Sequence, residues 1–305
     1  MIVEINYRTY QQIDKIKWDA CIDKAANGLI YGYSFYLDAM AKNWDGLVLN
    51  DYEAVMPLTW NKKYGVLYLY QPPFTACLGI FGNSLTAETI NCFLNAVPAK
   101  FKYWDIYFNY GNFFKLPGFD LYERINHVLN LSESYESLYG AYRNNIKRNI
   151  KKSEQLHLTV NKNISVSEVV TLAKEQVSGF SAIAMADFAR FKILYQHLYQ
   201  KEKAICYGVY TNEQQLLASA VFFFSHNRAY YILVGNHPNG KTLGASHALI
   251  NAFIKDHAGE NLVLDFEGSD ISSLAFFYSS FGAVEEKYSA VKLNKLPAPI
   301  KWLKK

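Results

Sequence analysis

The chain has 305 residues, half of them hydrophobic and 19% charged, enough for two domains with cores of their own and too apolar for a disordered protein. Its four cysteines, Cys21, Cys77, Cys92 and Cys206, form no C-x-x-C pair, which excludes a zinc knuckle or dithiol redox centre and fits a reducing cytoplasm. A net charge of +4 is too small for a duplex nucleic-acid binder, the opening MIVEINYRTYQQIDKIK lacks the apolar stretch of a signal peptide, and the run LLASAVFFF is about half the length of a membrane span.

IVEINYR reads as a strand, QQIDKIKWDACIDKA as a helix with apolar positions at helical spacing, and SFYLDAMAK as a short helix that Ser34 caps. GLVLND, YEAVMPLTWNKK and GVLYLYQP follow as consecutive antiparallel strands. TAETINCFLNAV is a helix with Thr86 as its cap, and YWDIYFNY and LYERINHVLNL are strands. The second half repeats this order. A long helix from about Ser134 to Gln155 precedes strand LHLTVNK and helices SVSEVVTLAKEQV and ADFARFKILYQHLYQK. Then come strands AICYGVYTN, QLLASAVFFFSHN and RAYYILVGN, helix GASHALINAFIKDHA, strand NLVLDFEG, helix SSLAFFYSSFG and strand EKYSAVKLN. Two copies of one α+β architecture are therefore expected, divided near NLSES into 1–132 and 133–305, each half keeping its own closing strand. Aromatic residues make up 16% of the chain, either a stacking surface for sugars or bases or ordinary sheet cores in a biased composition.

Charge is uneven. Residues 1–132 hold 11 Lys and Arg against 12 Asp and Glu, whereas 133–305 hold 20 against 15, so an anionic ligand is expected in the second half. VGNHPNGKTLGAS contains a G-x-x-x-x-G-K-T string with Gly235, Gly240, Lys241 and Thr242 in phosphate-loop positions. Its context opposes an ATPase. Only 64 residues follow Lys241, antiparallel strands precede it, and the helix is expected to begin only at Gly244 or Ser246. What survives is a loop in which Gly240, Thr242, Gly244 and Ala245 present backbone N–H groups to a pyrophosphate while Lys241 adds a charge. A glycine-led helix entry with no ligand is the plainer alternative.

The order strand, glycine-containing loop, helix, strand, helix, strand resembles the GNAT acetyltransferase fold, in which this loop cradles the pyrophosphate of coenzyme A. LAFFYSSFGAVEE resembles the GNAT pattern of apolar residue, Tyr, three residues, Gly, here Phe277, Tyr278 and Gly282. YRNNIKRNIKKSEQLHLTV, LDFEGSD with FFYSSFG, and YQPPFTACLGIFG together resemble the Fem family of peptidoglycan-bridge aminoacyltransferases, two tandem GNAT-like halves, and its acetyltransferase-like FemAB relatives. One departure stands out: where the Fem pattern has Phe-Lys-x-x-Phe-Gly, this chain has Phe277-Tyr278-Ser279-Ser280-Phe281-Gly282, with Tyr as in thioester-using GNAT enzymes. The resemblance implies an acyl-CoA donor and an amine acceptor, with aminoacyl-tRNA and a peptidoglycan substrate as the Fem-type alternative.

Acyl transfer to an amine needs a proton acceptor for the amine and a proton donor for the leaving group. Tyr278 supplies the second, a phenol with an ordinary pKa of about 10 being protonated at neutral pH; a packed helix aromatic is the alternative. Asp265 and Glu267, two apart in a strand, are expected on one face, with Glu267 favoured as base and Asp265 either a second base or the cap of the helix near Ser272. Arg143, Lys147 and Lys151 recur every fourth residue, with Arg148 and Lys152 turned further round. That face is either solvated or a clamp for a phosphorylated acceptor or a tRNA acceptor stem, Arg143, Lys147, Arg148 and Lys152 being the contact residues. Leu138, Tyr142 and Ile146 are expected to pack inward. No metal-ligand spacing occurs among the seven histidines, so no metal is expected. A non-catalytic protein holding a polyanion is the rival to the enzyme.

Overall fold

A computed structural model describes residues 4–116, 118–177, 183–268, 270–296 and 301, the Val177 and Lys241 side chains excepted. The chain opens with β1 (Ile5–Arg8), α1 (Lys15–Lys24), α2 (Ser34–Met40), β2 (Asn43–Leu49), β3 (Ala54–Lys63) and β4 (Val66–Tyr70). The two-residue β5 (Phe81–Gly82) pairs with β3, and α3 (Ala87–Ala96) leads to β6 (Phe101–Tyr107) and β7 (Leu121–Asn130). Next come α4 (Tyr135–Gly140), α5 (Asn144–Gln155), β8 (Thr159–Lys162), α6 (Val166–Val177), α7 (Met185–Tyr199), β9 (Ala204–Tyr210), β10 (Leu216–Ser225) and β11 (Arg228–Asn236). The chain then forms α8 (Pro238–Leu243), α9 (Ala245–His257), β12 (Val263–Asp265), α10 (Ser272–Ser279) and β13 (Val284–Asn294). The protein is α+β with mixed sheets.

Of the caps expected at Ser34 and Thr86, one forms. The Thr86 hydroxyl accepts the Thr89 N–H at 3.1 Å and caps α3 as expected. Ser34, by contrast, is already inside α2; its N–H and hydroxyl donate to Asp19 of α1 at 2.7 and 2.8 Å, so the acceptor comes from another helix. The long helix expected over 134–155 is broken. α4 stops at Gly140, a residue that weakens helices, and Arg143 takes an extended conformation (φ −66, ψ 154) as the N-cap of α5, its N–H donating to the Ser280 carbonyl at 2.9 Å. Leu138, Tyr142 and Ile146 are buried as the pattern requires.

Two compact units result: Met1–Arg124 with Lys287–Lys305, and Ile125–Glu286. In the first, the strands run β1-β2-β3-β4-β6-β13, antiparallel apart from the parallel β4–β6 pair. In the second, β8-β9-β10-β11-β12-β7 is antiparallel apart from β11–β12. Each parallel pair is joined through a helix, α3 or α9, as a parallel connection demands. This differs from the expected division at 132/133 in one respect that adjacency along the chain hides. The closing strands are exchanged: Ala290–Asn294 of β13 pair with Tyr103–Tyr107 of β6, and Val128–Asn130 of β7 pair with Val263–Asp265 of β12.

The first unit's core sets Ile90, Phe93 and Leu94 of α3 against Met56, Leu69 and Trp104. In the second, Leu249, Ile250 and Phe253 of α9 pack on Phe222, Tyr231 and Leu264, with the Phe222 and Phe253 rings stacked at 3.8 Å. α6 approaches β11 so closely that a Cβ on Gly235 would sit 2.7 Å from the Ala173 nitrogen. α9 packs on β9 and β10, and Ala245 at its start and Leu264 of β12 belong to the same core.

Candidate active site

β12 is only three residues long, and what happens at its end defines the site. Asp265, 4% exposed, has both carboxylate oxygens engaged: Oδ2 accepts from Arg228 at 2.7 Å, and Oδ1 accepts from Asn126 Nδ2 and from the Glu267 backbone N–H, each at 2.8 Å. Glu286 completes the group, taking two hydrogen bonds from the Arg228 guanidinium at 2.8 and 2.9 Å. Asp265 is thus an ion-paired acceptor inside a buried network and does not cap α10, whose N-cap is Ile271.

Glu267 lies beyond the strand, so the expected strand alternation with Asp265 does not apply. Its φ is +62, a left-handed conformation uncommon for a residue with a side chain, and Gly268 follows at +81. The two carboxylates therefore part company: Asp265 pairs with Arg228, while the charge of Glu267 acts on Tyr278.

Tyr278 sits near the end of α10, 8% exposed and stacked on Phe266 at 4.5 Å, with Tyr231 edge-on at 6.5 Å. Burial, and then the charge of Glu267, pushes its phenol up to about 12. Its hydroxyl has no hydrogen-bond partner among the described residues. The ring belongs to the core, and the hydroxyl meets the field of Glu267. His127 of β7 lies 6.3 Å from the same ring; it is buried, its Nδ1 has no partner among the described residues, and burial lowers its pKa against an opposing pull from Glu285.

The NGKTLGA segment is not an open loop. Residues 238–243 form the short helix α8, started by His237, whose Nδ1 accepts the Asn239 N–H at 3.2 Å. The Gly240 N–H donates to the His237 carbonyl at 2.8 Å, and the Gly244 N–H donates to the Gly240 carbonyl. The glycines serve backbone packing. A Cβ on Gly240 would collide with the Leu217 carbonyl, and one on Gly244 (φ +78) would lie 2.5 Å from the Asn149 carbonyl oxygen. Thr242 donates to the Asn239 carbonyl at 2.8 Å, and the Lys241 side chain lies outside the described set. Of the expected cradle, the start of α9 is the part whose first-turn amides receive no side-chain cap, Gly244 being the N-cap, and Ala245 there is buried. His247 stands in this turn beside Phe277 at 5.0 Å, and burial lowers its pKa to about 4.

On α5 the cations are divided in role. Arg143 stacks over Phe276 at 4.9 Å, and Lys147 reaches the Gly140 carbonyl at 3.0 Å and the Tyr139 ring at 5.4 Å. Lys151 and Lys152 are exposed, and Arg148 is among the more accessible residues of the same helix. None of the five lies within 4.0 Å of a carboxylate among the described residues. Also among the described residues, no group of three His, Cys, Asp or Glu side chains is placed to hold a metal ion, and no helix is long and apolar enough to cross a membrane.

Arg228, Asn126, Glu286 and His127 escape a reading of the sequence. A lone Arg or Glu beside an apolar run looks like an ordinary strand end, and the strands that carry these residues are separated by up to 160 positions.

No family model matches the sequence, and no curated protein matches it. Among solved structures, FemX aligns over 98% of this chain and 99% of its own, with a TM-score of 0.66 and 13% identity. A conserved protein of unknown function from Bacteroides thetaiotaomicron VPI-5482 aligns over 95% and 100%, with a TM-score of 0.60 and 12% identity. L-PGS from Bacillus licheniformis aligns over 95% of each chain, with a TM-score of 0.57 and 13% identity. The chain carries the FemAB-like, GNAT-type fold.

Proposed function

We propose that this protein is an N-acyltransferase, built of two tandem GNAT-like units, that moves an acyl group from a phosphate-bearing donor to an amine. The observation that carries the reading is the approach of Glu267, in its left-handed turn just after β12, to Tyr278, a phenol that burial first and the charge of Glu267 second hold protonated. Glu267 accepts a proton from the incoming amine, directly or through water. Tyr278 holds its proton well above neutral pH and gives it from Oη to the leaving group, so proton uptake and release balance across the transfer. The acyl donor supplies a carbonyl carbon already activated by a good leaving group.

For acyl-CoA, the first-turn amides of α9 from Ala245 to His247 suit a pyrophosphate, with Lys241 and Thr242 on the preceding turn; the amides of Gly240 and Gly244 are already bonded. An aminoacyl-tRNA donor is the second reading, favoured by the carboxylate-free cations of α5, with Arg143, Lys147, Arg148 and Lys152 as its contacts. A cell-wall peptide acceptor belongs to that second reading alone. A reducing, cytoplasmic setting agrees with four free cysteines.

Calorimetric titration with acetyl-CoA, repeated on Lys241→Ala, tests the donor. Saturable binding, weakened in the variant by the ~1.5–3 kcal/mol of a charge-assisted hydrogen bond, supports acyl-CoA. Absent acetyl-CoA binding together with salt-dependent binding of aminoacyl-tRNA selects the second donor, and binding of neither rejects the transferase.

A further inference from the structure

We propose that Asp265 is a positioning residue whose Oδ1 fixes the backbone turn at Glu267, with Arg228, Asn126 and Glu286 acting as the frame that holds Asp265 still. This rests on Glu267 being the proton acceptor and assigns the other carboxylate of the expected pair a different task. Oδ1 accepts the Glu267 N–H at 2.8 Å, just where φ becomes +62. Such a conformation is costly for a side-chain-bearing residue and persists only when its surroundings over-determine it. Asp265 is itself over-determined: Arg228 and Asn126 hold its two oxygens at 2.7 and 2.8 Å, and Glu286 holds Arg228 by two bonds. The same frame reaches β7. Asn126 Oδ1 accepts the His127 N–H at 2.7 Å, and the His127 carbonyl accepts the Phe266 N–H at 3.0 Å. Phe266, stacked under Tyr278, is therefore pinned from one side and Glu267 from the other. One guanidinium shared by two carboxylates is a poor stabilising device, because desolvation cancels most of its Coulomb gain, yet it is a stiff one.

Two substitutions separate positioning from simple bracing. Asp265→Asn keeps an oxygen for the Glu267 N–H while weakening the pairing with Arg228; Asp265→Ala removes the acceptor. Amide exchange at Glu267, followed by NMR, needs no substrate. It is expected to be slow in the unmodified protein and in Asp265→Asn, and to rise towards that of an unprotected amide in Asp265→Ala. In an acyl-transfer assay, Asp265→Ala lowers kcat as far as Glu267→Gln does, on the order of 10²–10⁴-fold, with KM unchanged, and the double variant loses nothing more. A Glu267 amide that stays protected in Asp265→Ala overturns the proposal, as do losses that add in the double variant. If Asp265→Ala does not fold, a Glu267 amide exchanging freely in the unmodified protein overturns it as well. Slow exchange without any acyl transfer would count against Glu267 as base and leave the positioning of its backbone standing.

Discussion

Tyr278 combines a buried ring with a hydroxyl that makes no hydrogen bond among the described residues, so removing the oxygen costs little packing. Tyr278→Phe is expected to melt within a few degrees of the unmodified protein while kcat for acyl transfer falls ~10²–10⁴-fold; steady-state kinetics beside a thermal melt checks both. His247 supplies a pH dependence of stability. Its folded pKa, about 4, lies below the ordinary 6.5, so the unfolded chain binds the extra proton between those values and stability is lost as pH falls through that window. The slope is at most ~1.4 kcal/mol per pH unit, and urea denaturation from pH 7 to pH 4 should show a shallower acid loss in His247→Leu. At this scale the sequence is unevenly legible. Tyr278 stands out through the resemblance of Phe277, Tyr278 and Gly282 to the GNAT pattern. Glu267 is singled out by a strand alternation that stops two residues earlier, and Arg228 gives no sign, its partners being distant in the chain.

The G-x-x-x-x-G-K-T string belongs to the scale of elements, where its glycines are set by neighbouring backbone. Gly240→Ala should destabilise the protein by ~1–3 kcal/mol through the Leu217 carbonyl, and Gly244→Ala by more, since a left-handed φ adds to the approach of Asn149. Were these residues a phosphate cradle, donor affinity would fall and the urea midpoint would hardly move. The periodicity that locates α9 and the buried side of α5 is sound; it does not reveal that a glycine inside GKTLG closes one short helix before the next begins. For α5, replacing Arg148, Lys151 and Lys152 by Ala is expected to leave the melting temperature nearly unchanged. If the helix holds a nucleic-acid donor, binding weakens and its log–log salt dependence flattens by about one for each phosphate-binding cation removed.

Over the whole molecule, the repeated order of strand, helices, meander, helix and strand is visible in the sequence, because two-residue alternation and helical spacing are local properties. Which strand closes which sheet is not local. β7 follows β6 in the chain and pairs with β12, while β13 follows the second unit and pairs with β6, so neither 1–132 nor 133–305 contains a complete sheet. Residues 133–305 expressed alone should lack β7, one of the two partners of β12, and fail to melt cooperatively; a soluble fragment with a sharp calorimetric transition would contradict the exchange. The claim on which the rest depends is catalytic. The measurement that tests it most directly is mass spectrometry of an amine panel incubated with the purified protein and, in separate reactions, acetyl-CoA or aminoacyl-tRNA. The account predicts an acylated amine from one of the two donors, formed by the unmodified protein and largely absent with Tyr278→Phe and Glu267→Gln. Product formation undiminished in both variants would contradict the assigned roles, and donor binding without product from either donor would contradict the enzyme itself.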